Sequence, residues 1–393
     1  MAGPLTGLRI LDFTTLLPAP YATMCLADLG AEVLKVTSGT RPDLAEIIPP
    51  FIRGTKLTAA AAHLGRGKKS ITLNFKNPKA VRIIHQLVSD YDIVIEQFRP
   101  GVMAKYGLDY ESLRKVNSAI IYCSLTGYGQ TGPLKDRAGH DINYLALSGI
   151  MGYSGRKATG PTLMGIPIAD VAAGSNNAII GILAAVISRG RTGRGQHIDI
   201  SMTDGVMAFN MFGAYSYLVD GKEPEAESLW GNGGSFYDFY ETKDGKHISV
   251  GSIEPQFFSA FCIAIDRPDL IQGGIDPKNV DEAKRKIREI IKSKTRDQWT
   301  DIFEKNDACV EPVLAFSEAI ESKYAKERGV VVELDVPNAG KIRQLANPIK
   351  FSEDTLEYRW AGCTVGTHLK EVLAGLNYSE DEVIELQKEG VFD

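Results

Sequence analysis

Residues 139–149, GHDINYLALSG, set a histidine directly before an aspartate where a glycine-flanked loop gives way to an apolar run. Ile142, Leu145, Ala146 and Ile150 recur at helical spacing, so Asp141 reads as a helix N-cap and His140 as the last residue before it. An imidazole at that point is a candidate base, because the partial positive charge of a helix start disfavours imidazolium. The bland alternative is a histidine that only partners a nearby carbonyl. Asp170, in PIADVAAGS, opens a second apolar helix, and judged alone it is an N-cap worth about 1 kcal/mol. Two ionisable residues at two helix starts suit a site where both ends converge on one reacting atom, one group taking a proton and the other giving one. Glu254, in GSIEPQFF, precedes Pro255 and a third helix start, where a carboxylate cap is the simple reading.

Cations come next. Arg99 follows the apolar run IVIEQF at what would be a strand's carboxyl end, where open α/β sheets place their ligands; a solvated loop charge is the alternative. GRGKKS, residues 65–70, sets Arg66, Lys68 and Lys69 among glycines and predicts a phosphate cradle, although its spacing is not that of a Walker loop. GNGGS, residues 231–235, reads as a linker or as a loop able to close over a site. The five cysteines form no C-x-x-C pair and no zinc-ligand spacing, so free thiols and no bound metal are expected.

These residues need a scaffold. A chain of 393 residues with 44% apolar content is long for one core and predicts two domains. A net charge of −5 argues against a nucleic-acid or acidic-membrane surface. No leader-like segment opens the chain and no later run is expected to span a membrane, which points to the cytoplasm. LRILDFT, AEVLKVT, IVIEQF and AIIYCSLT read as buried strands separated by helices, a pattern for a parallel sheet with helices on its faces and hence an α/β, Rossmann-like large domain. No G-x-G-x-x-G follows the first strand, so nothing speaks for a dinucleotide. DVAAGSNNAIIGILAAVISR is apolar nearly all round and is expected to be buried. The expected boundaries are 1–222 for the first part of the large domain, 223–234 for a linker, 235–313 for a smaller α+β domain, and 314–393 for a return into the large domain.

Taken in order, LGRGKKS, RPGVM, GHDINYLALSG, RTGRGQHID, GSIEPQFF and DACVEPVLAF resemble the α-methylacyl-CoA racemases of the family III CoA-transferase (CaiB/BaiF) group, over essentially the whole chain. The resemblance implies that His140 and Asp170 act on opposite faces of the α-carbon of a coenzyme A thioester. Glu254 would stand near the histidine, contributed by the partner's small domain in an interlocked homodimer. CoA would enter only as part of the acyl-CoA substrate, without a separate cofactor and with no nucleic-acid or membrane partner. Its contacts would come from Arg66, Lys68, Lys69, Gln97, Phe98, Arg99, Lys105, Gly139, Asp141 and Tyr144. Backbone N–H groups at the start of the Asp141 helix are natural oxyanion donors. The chain departs from the group in KVTSGTRPD, where Ser38 stands near the place of a CoA-binding arginine and Lys35 or Arg41 could substitute. It also carries the insertion AEIIPPFIRGTKLTAAAA, and its GNGG drifts from the racemases' DGG towards the transferases. Two rival readings remain: CoA transfer through an anhydride at Asp170, and a non-catalytic CoA-binding protein.

Overall fold

In the computed structural model, which describes residues 3–38, 43–273 and 280–392, one sheet carries six parallel strands. They are β1 (Arg9–Phe13), β2 (Glu32–Thr37), β3 (Lys68–Thr72), β4 (Ile93–Glu96), β5 (Ile121–Thr126) and β6 (His197–Ser201). Their spatial order is β3-β2-β1-β4-β5-β6. The inner strands are near-continuous apolar runs because helices cover both faces, and every residue of β5 is buried. The order reverses between β1 and β4, and this is where a doubly wound sheet opens a crevice at its carboxyl ends. The helix after β1, Pro18–Asp28, starts on proline and stops before Gly30, whose φ of +104° reverses the chain. A Cβ on Gly30 would also lie 3.0 Å from the Cα of Gly3, so glycine is needed there twice over.

The chain divides into two units: Met1–Leu145, Ile166–Val206 and Lys326–Asp393 in one, Ala146–Gly165 and Met207–Ala325 in the other. The first unit therefore ends well short of the expected residue 222, and the second extends past 313. The reason lies at Asn210, where the expected single helix breaks into Met202–Met207 and Met211–Asp220. The Asn210 amide donates to the carbonyls of Ser148 (3.1 Å) and Met207 (3.0 Å), and its oxygen accepts from the Tyr153 hydroxyl (2.8 Å). These bonds tie the second helix to residues 146–165.

The smaller unit contains the antiparallel strands β7 (Asp238–Glu241), β8 (His247–Val250) and β9 (Val310–Pro312). Phe236, Tyr240, Phe258, Phe261, Trp299 and Phe303 belong to its core. GNGGS is not free to close over anything: Lys284 donates to the Gly233 carbonyl (2.8 Å) and pairs with buried Asp238 (2.8 Å). The Asn232 amide holds the carbonyls of Tyr153 (3.1 Å) and Glu225 (2.8 Å).

Two further expectations are corrected. GRGKKS is not a loop, since its lysines begin β3, and a hairpin of β10 (Val331–Val336) and β11 (Gly340–Leu345) follows the smaller unit. The apolar helix, Asn176–Thr192, buries Ala178, Ile182 and Ala185 on one face but leaves Ile180 63% and Ile187 66% exposed on another. With the turn before it, the run Ala169–Thr192 is long and apolar enough to cross a membrane by length and composition, contrary to expectation. Here one face of that run lies on the sheet: a Cβ on Gly181 would sit 3.0 Å from Ile198 of β6.

Candidate active site

The helix Asp141–Leu147 begins with His140, not Asp141, in the capping position. The His140 carbonyl accepts from the amides of Asn143 (2.8 Å) and Tyr144 (3.3 Å), while the Asn143 side chain accepts from the His140 N–H at 3.0 Å. That reciprocal bond is one arm of a capping box, and it fixes the backbone of His140 while its ring stays exposed. It also commits two amides, which narrows the oxyanion donors of this turn to Asp141 and Ile142.

Asp141 caps a different helix. Its Oδ1 accepts from the backbone N–H of Asp170 at 3.0 Å, which joins the two helix starts directly. Asp170 lies in a π-helical turn, Ala169–Ser175, that runs on into Asn176–Thr192. Such wide turns recur at functional sites, and here small residues permit it: a Cβ on Gly174 would lie 3.0 Å from Met202. The Ser175 hydroxyl holds the Asp170 carbonyl (3.1 Å). Burial pushes the Asp170 carboxyl up to about 6; the Asp141 carboxylate adds to the rise and His140 opposes it. A carboxyl so placed exists in both protonation states near neutrality, as a group that must both give and take protons should.

Tyr144 walls the site. Its hydroxyl donates to the Gly139 carbonyl, its ring meets Tyr128 edge-on, and a Cβ on Gly139 would lie 2.6 Å from that ring. Glycine before His140 is thus a packing requirement. Burial, then the charge of Asp170, raises the Tyr144 phenol, so it stays a neutral donor. Gly139, Asp141 and Tyr144, expected as CoA contacts, are engaged in shaping the His140–Asp170 pair.

The expected phosphate cradle is corrected. Arg66 is fully buried and grips Asp28 with two bonds (2.8 and 2.7 Å), with a third to the Leu345 carbonyl (2.9 Å). Lys68 is buried against Asp12 (3.1 Å), Thr23 (2.6 Å) and the Pro20 carbonyl (2.9 Å). Strand alternation turns only Lys69 outward, where it pairs with Glu371 at 2.8 Å. Lys35 is held by Asp43 (3.2 Å) and Glu46 (3.1 Å) beside the insertion, and Arg41 lies outside the described residues. Arg99 and Lys105 are exposed, and no carboxylate among the described residues pairs with either. At the end of β4 the Gln97 amide donates to the Thr15 carbonyl (2.6 Å), which leaves its buried oxygen an unmet acceptor for a ligand N–H. Phe98 packs against the core and its N–H donates to Glu96 (2.8 Å). Glu254, in the smaller unit, stands at the N-cap of Pro255–Ala264, but its side chain makes no capping bond and is exposed.

Sequence reasoning missed Asn143 and the bridging role of Asp141. The first had a signal, an amide three residues after His140. The second had none, because it depends on where two distant helix starts meet.

Comparison with known proteins adds to this geometry. A model of CoA-transferase family III matches residues 5–369. Alpha-methylacyl-CoA racemase of Homo sapiens is 33% identical over 397 residues, covering 99% of this chain and 97% of that protein. Succinyl-CoA:glutarate CoA-transferase of Homo sapiens is 34% identical over 401 residues, covering 99% and 90%. A CAIB/BAIF family protein from Brucella suis has a crystal structure that superposes with a TM-score of 0.83 at 28% identity, covering 96% of this chain and 100% of that one.

Proposed function

Because this chain belongs to CoA-transferase family III, we propose that it racemises the α-carbon of a 2-methylacyl-CoA thioester by proton transfer between His140 and Asp170. The observation that carries this reading is the raised Asp170 carboxyl, at about 6, held beside His140 by Asp141. The α-hydrogen of a thioester is weakly acidic, so the reaction needs a base, an acid on the opposite face and a stabilised enolate oxygen. General acid–base catalysis supplies about 10²- to 10⁴-fold, and a preorganised oxyanion site supplies a comparable factor.

In one direction the His140 imidazole takes the α-proton and the bond's electron pair moves into the thioester carbonyl. The Asp141 and Ile142 amides face that developing charge. Protonated Asp170 then returns a proton to the other face, which leaves Asp170 ionised and His140 protonated; the reverse reaction exchanges the roles. CoA serves as the substrate's handle, met by Arg99, Lys105, Lys69 and the free Gln97 oxygen. We read the active form as a cytoplasmic homodimer in which the exposed Glu254 completes a partner's site. The exposed apolar side chains of Met211–Asp220, Phe212, Tyr215, Leu218 and Val219 among them, support a covered surface.

The second reading is CoA transfer, favoured by the transferase relative at 34% identity. There an ionised Asp170 attacks the thioester and no role falls to His140. The test is incubation of one enantiomer of 2-methylacyl-CoA in deuterated water, with and without a free carboxylic acid. Racemisation predicts deuterium at the α-carbon and no net CoA transfer. CoA passing to the acceptor with no label at carbon would replace this reading with the second.

A further inference from the structure

One cavity of the larger unit extends beyond the contacts assigned to CoA above and shares only Arg99 with them. It has a volume of about 190 Å³ and is lined by Glu96, Arg99, Tyr122, Ser124, Gln130 and His197 among others. Register places it: Ser124 of β5 pairs with Glu96 of β4 and with Asp199 of β6, so these side chains share one face of the sheet. Gly181 of the Asn176–Thr192 helix approaches Ile198 and Ile200, which point to the other face. The cavity therefore lies across the sheet from the helix that carries Asp170, and it meets the CoA contacts only at Arg99.

Its lining is polar and incompletely satisfied. The Tyr122 side chain is 2% exposed and its hydroxyl has no partner. The Gln130 amide nitrogen is also buried and unpaired. A buried hydroxyl left unmet is costly, so a sequence that places one in a cavity wall marks a place for something that accepts its hydrogen bond. Arg99 adds a cation without an ion-pair partner among the described residues. The other charged groups around the cavity are already engaged. Asp199 accepts from the Gln130 backbone (3.0 Å), Asp109 from the Ser112 hydroxyl (2.6 Å), and Glu111 pairs with Arg114 (2.8 Å). Ser124 lies between Glu96 and His197, with its Oγ 2.9 Å from the ring Nε2, and the Tyr110 ring stacks on His197. Three donors, on Tyr122, Gln130 and Arg99, remain free among these groups.

We infer that this cavity binds a small monocarboxylate, of about propionate size, through the Tyr122 hydroxyl, the Gln130 amide and Arg99. The site goes beyond the proposed racemase reaction and shares with it only Arg99. Glu96 sets its pH range. Burial pushes that carboxyl up to about 7. Below that pH Glu96 is neutral beside the ligand; above it, the ionised Glu96 adds its repulsion of a carboxylate to that of Asp199, Asp109 and Glu111. His197 is pushed down by burial, so it offers no compensating cation as pH rises.

The experiment is titration of the full-length protein with ¹³C-labelled propionate, followed by NMR and calorimetry at pH 6 and pH 8. Saturable binding is expected at pH 6, weakened about tenfold at pH 8, with Glu96→Gln removing the difference. Tyr122→Phe should weaken binding about tenfold without lowering the melting temperature, since the lost hydroxyl has no partner in the protein. His140→Ala should bind as tightly as wild type. No saturable binding, or Tyr122→Phe binding as wild type, overturns the proposal. So does loss of binding in His140→Ala, which would put the ligand at the catalytic pair, or a crystal structure with propionate that shows only water in the cavity.

Discussion

Asp141→Asn separates charge from geometry at the proposed catalytic pair. Asparagine keeps the size of aspartate and an oxygen that can accept from the Asp170 N–H, so the 3.0 Å bond joining the two helix starts should survive. The negative charge does not survive. Asp170 stands at about 6 against an ordinary 3.8, and desolvation is the larger of the two causes that raise it. The part owed to Asp141 is therefore smaller than the part owed to burial. For scale, like unit charges at about 6 Å interact by about 0.7 kcal/mol in bulk water and several times more at a dielectric of ~20. Neutralising Asp141 should therefore lower the Asp170 value by at least about half a pH unit. The assay is the pH dependence of kcat/KM for the enantiomer on which Asp170 acts as base, where activity rises with pH as Asp170 ionises. The limb reports an apparent value, but the shift between two proteins is clean. In Asp141→Asn that limb should move to lower pH with kcat/KM at its plateau reduced only modestly. Asp141→Ala, which loses the bond as well, should drop the plateau. Superimposable profiles for wild type and Asp141→Asn would refute the electrostatic role assigned to Asp141.

Lys68→Met should destabilise the fold by about 3–5 kcal/mol in denaturant unfolding, because it strands Asp12 as a buried unpaired charge; a loss below 1 kcal/mol would mean that Lys68 is free for ligand after all. His140→Ala should abolish racemisation yet leave α-proton exchange on the enantiomer served by Asp170, and Asp170→Ala the converse, as read by deuterium incorporation; near-wild-type racemisation by both would remove them from the mechanism. Glu96 binds a proton in the folded state up to about pH 7 but in the unfolded state only up to its ordinary 4.5. Stability should therefore fall as pH rises from 4.5 through 7, by on the order of 3 kcal/mol, and Glu96→Gln should flatten that fall in urea titrations. Co-expressed Glu254→Ala and His140→Ala chains, each inactive alone, should recover activity in heterodimers with one intact shared site; folded heterodimers with none would assign Glu254 to its own chain.

The sheet was legible in the sequence because parallel strands covered on both faces must be apolar runs, and β1, β2, β4 and β5 are. β3 was not, because its opening lysines look like a surface motif. Alternation along KKS is what sends Lys68 inward to Asp12 and Lys69 outward to Glu371, and the buried partner sits 56 residues away. The same holds at Arg66, whose partner Asp28 ends a helix that composition alone cannot relate to it. Long-range ion pairs leave no local trace. His140 and Asp170 were legible as types and positions, each at a helix start, but the cap assignment slipped by one residue. A histidine carbonyl can open a helix as well as an aspartate can, and Asn143 three residues on tipped the choice.

Near-equal identity to a racemase and to a CoA-transferase is intelligible from the site itself. Both relatives are named for acting on CoA compounds, and under the two readings proposed above each chemistry would put a CoA thioester beside Asp170. They diverge in what the aspartate must be. A nucleophile that attacks the thioester carbonyl works as a carboxylate, and it gains from cations and donors that lower its proton affinity. A group that hands a proton to carbon and later takes one back needs its affinity near the working pH, and it gains from burial and a like charge close by. Asp170 has the second environment: a half-buried π-helical turn, an adjacent Asp141 carboxylate, and His140 as its only opposing influence. Asp141 is the economical part of that design, because one side chain both anchors Asp170 and lifts its proton affinity. A chain specialised for anhydride chemistry would have reason to keep the anchor and discard the charge, and this one keeps both.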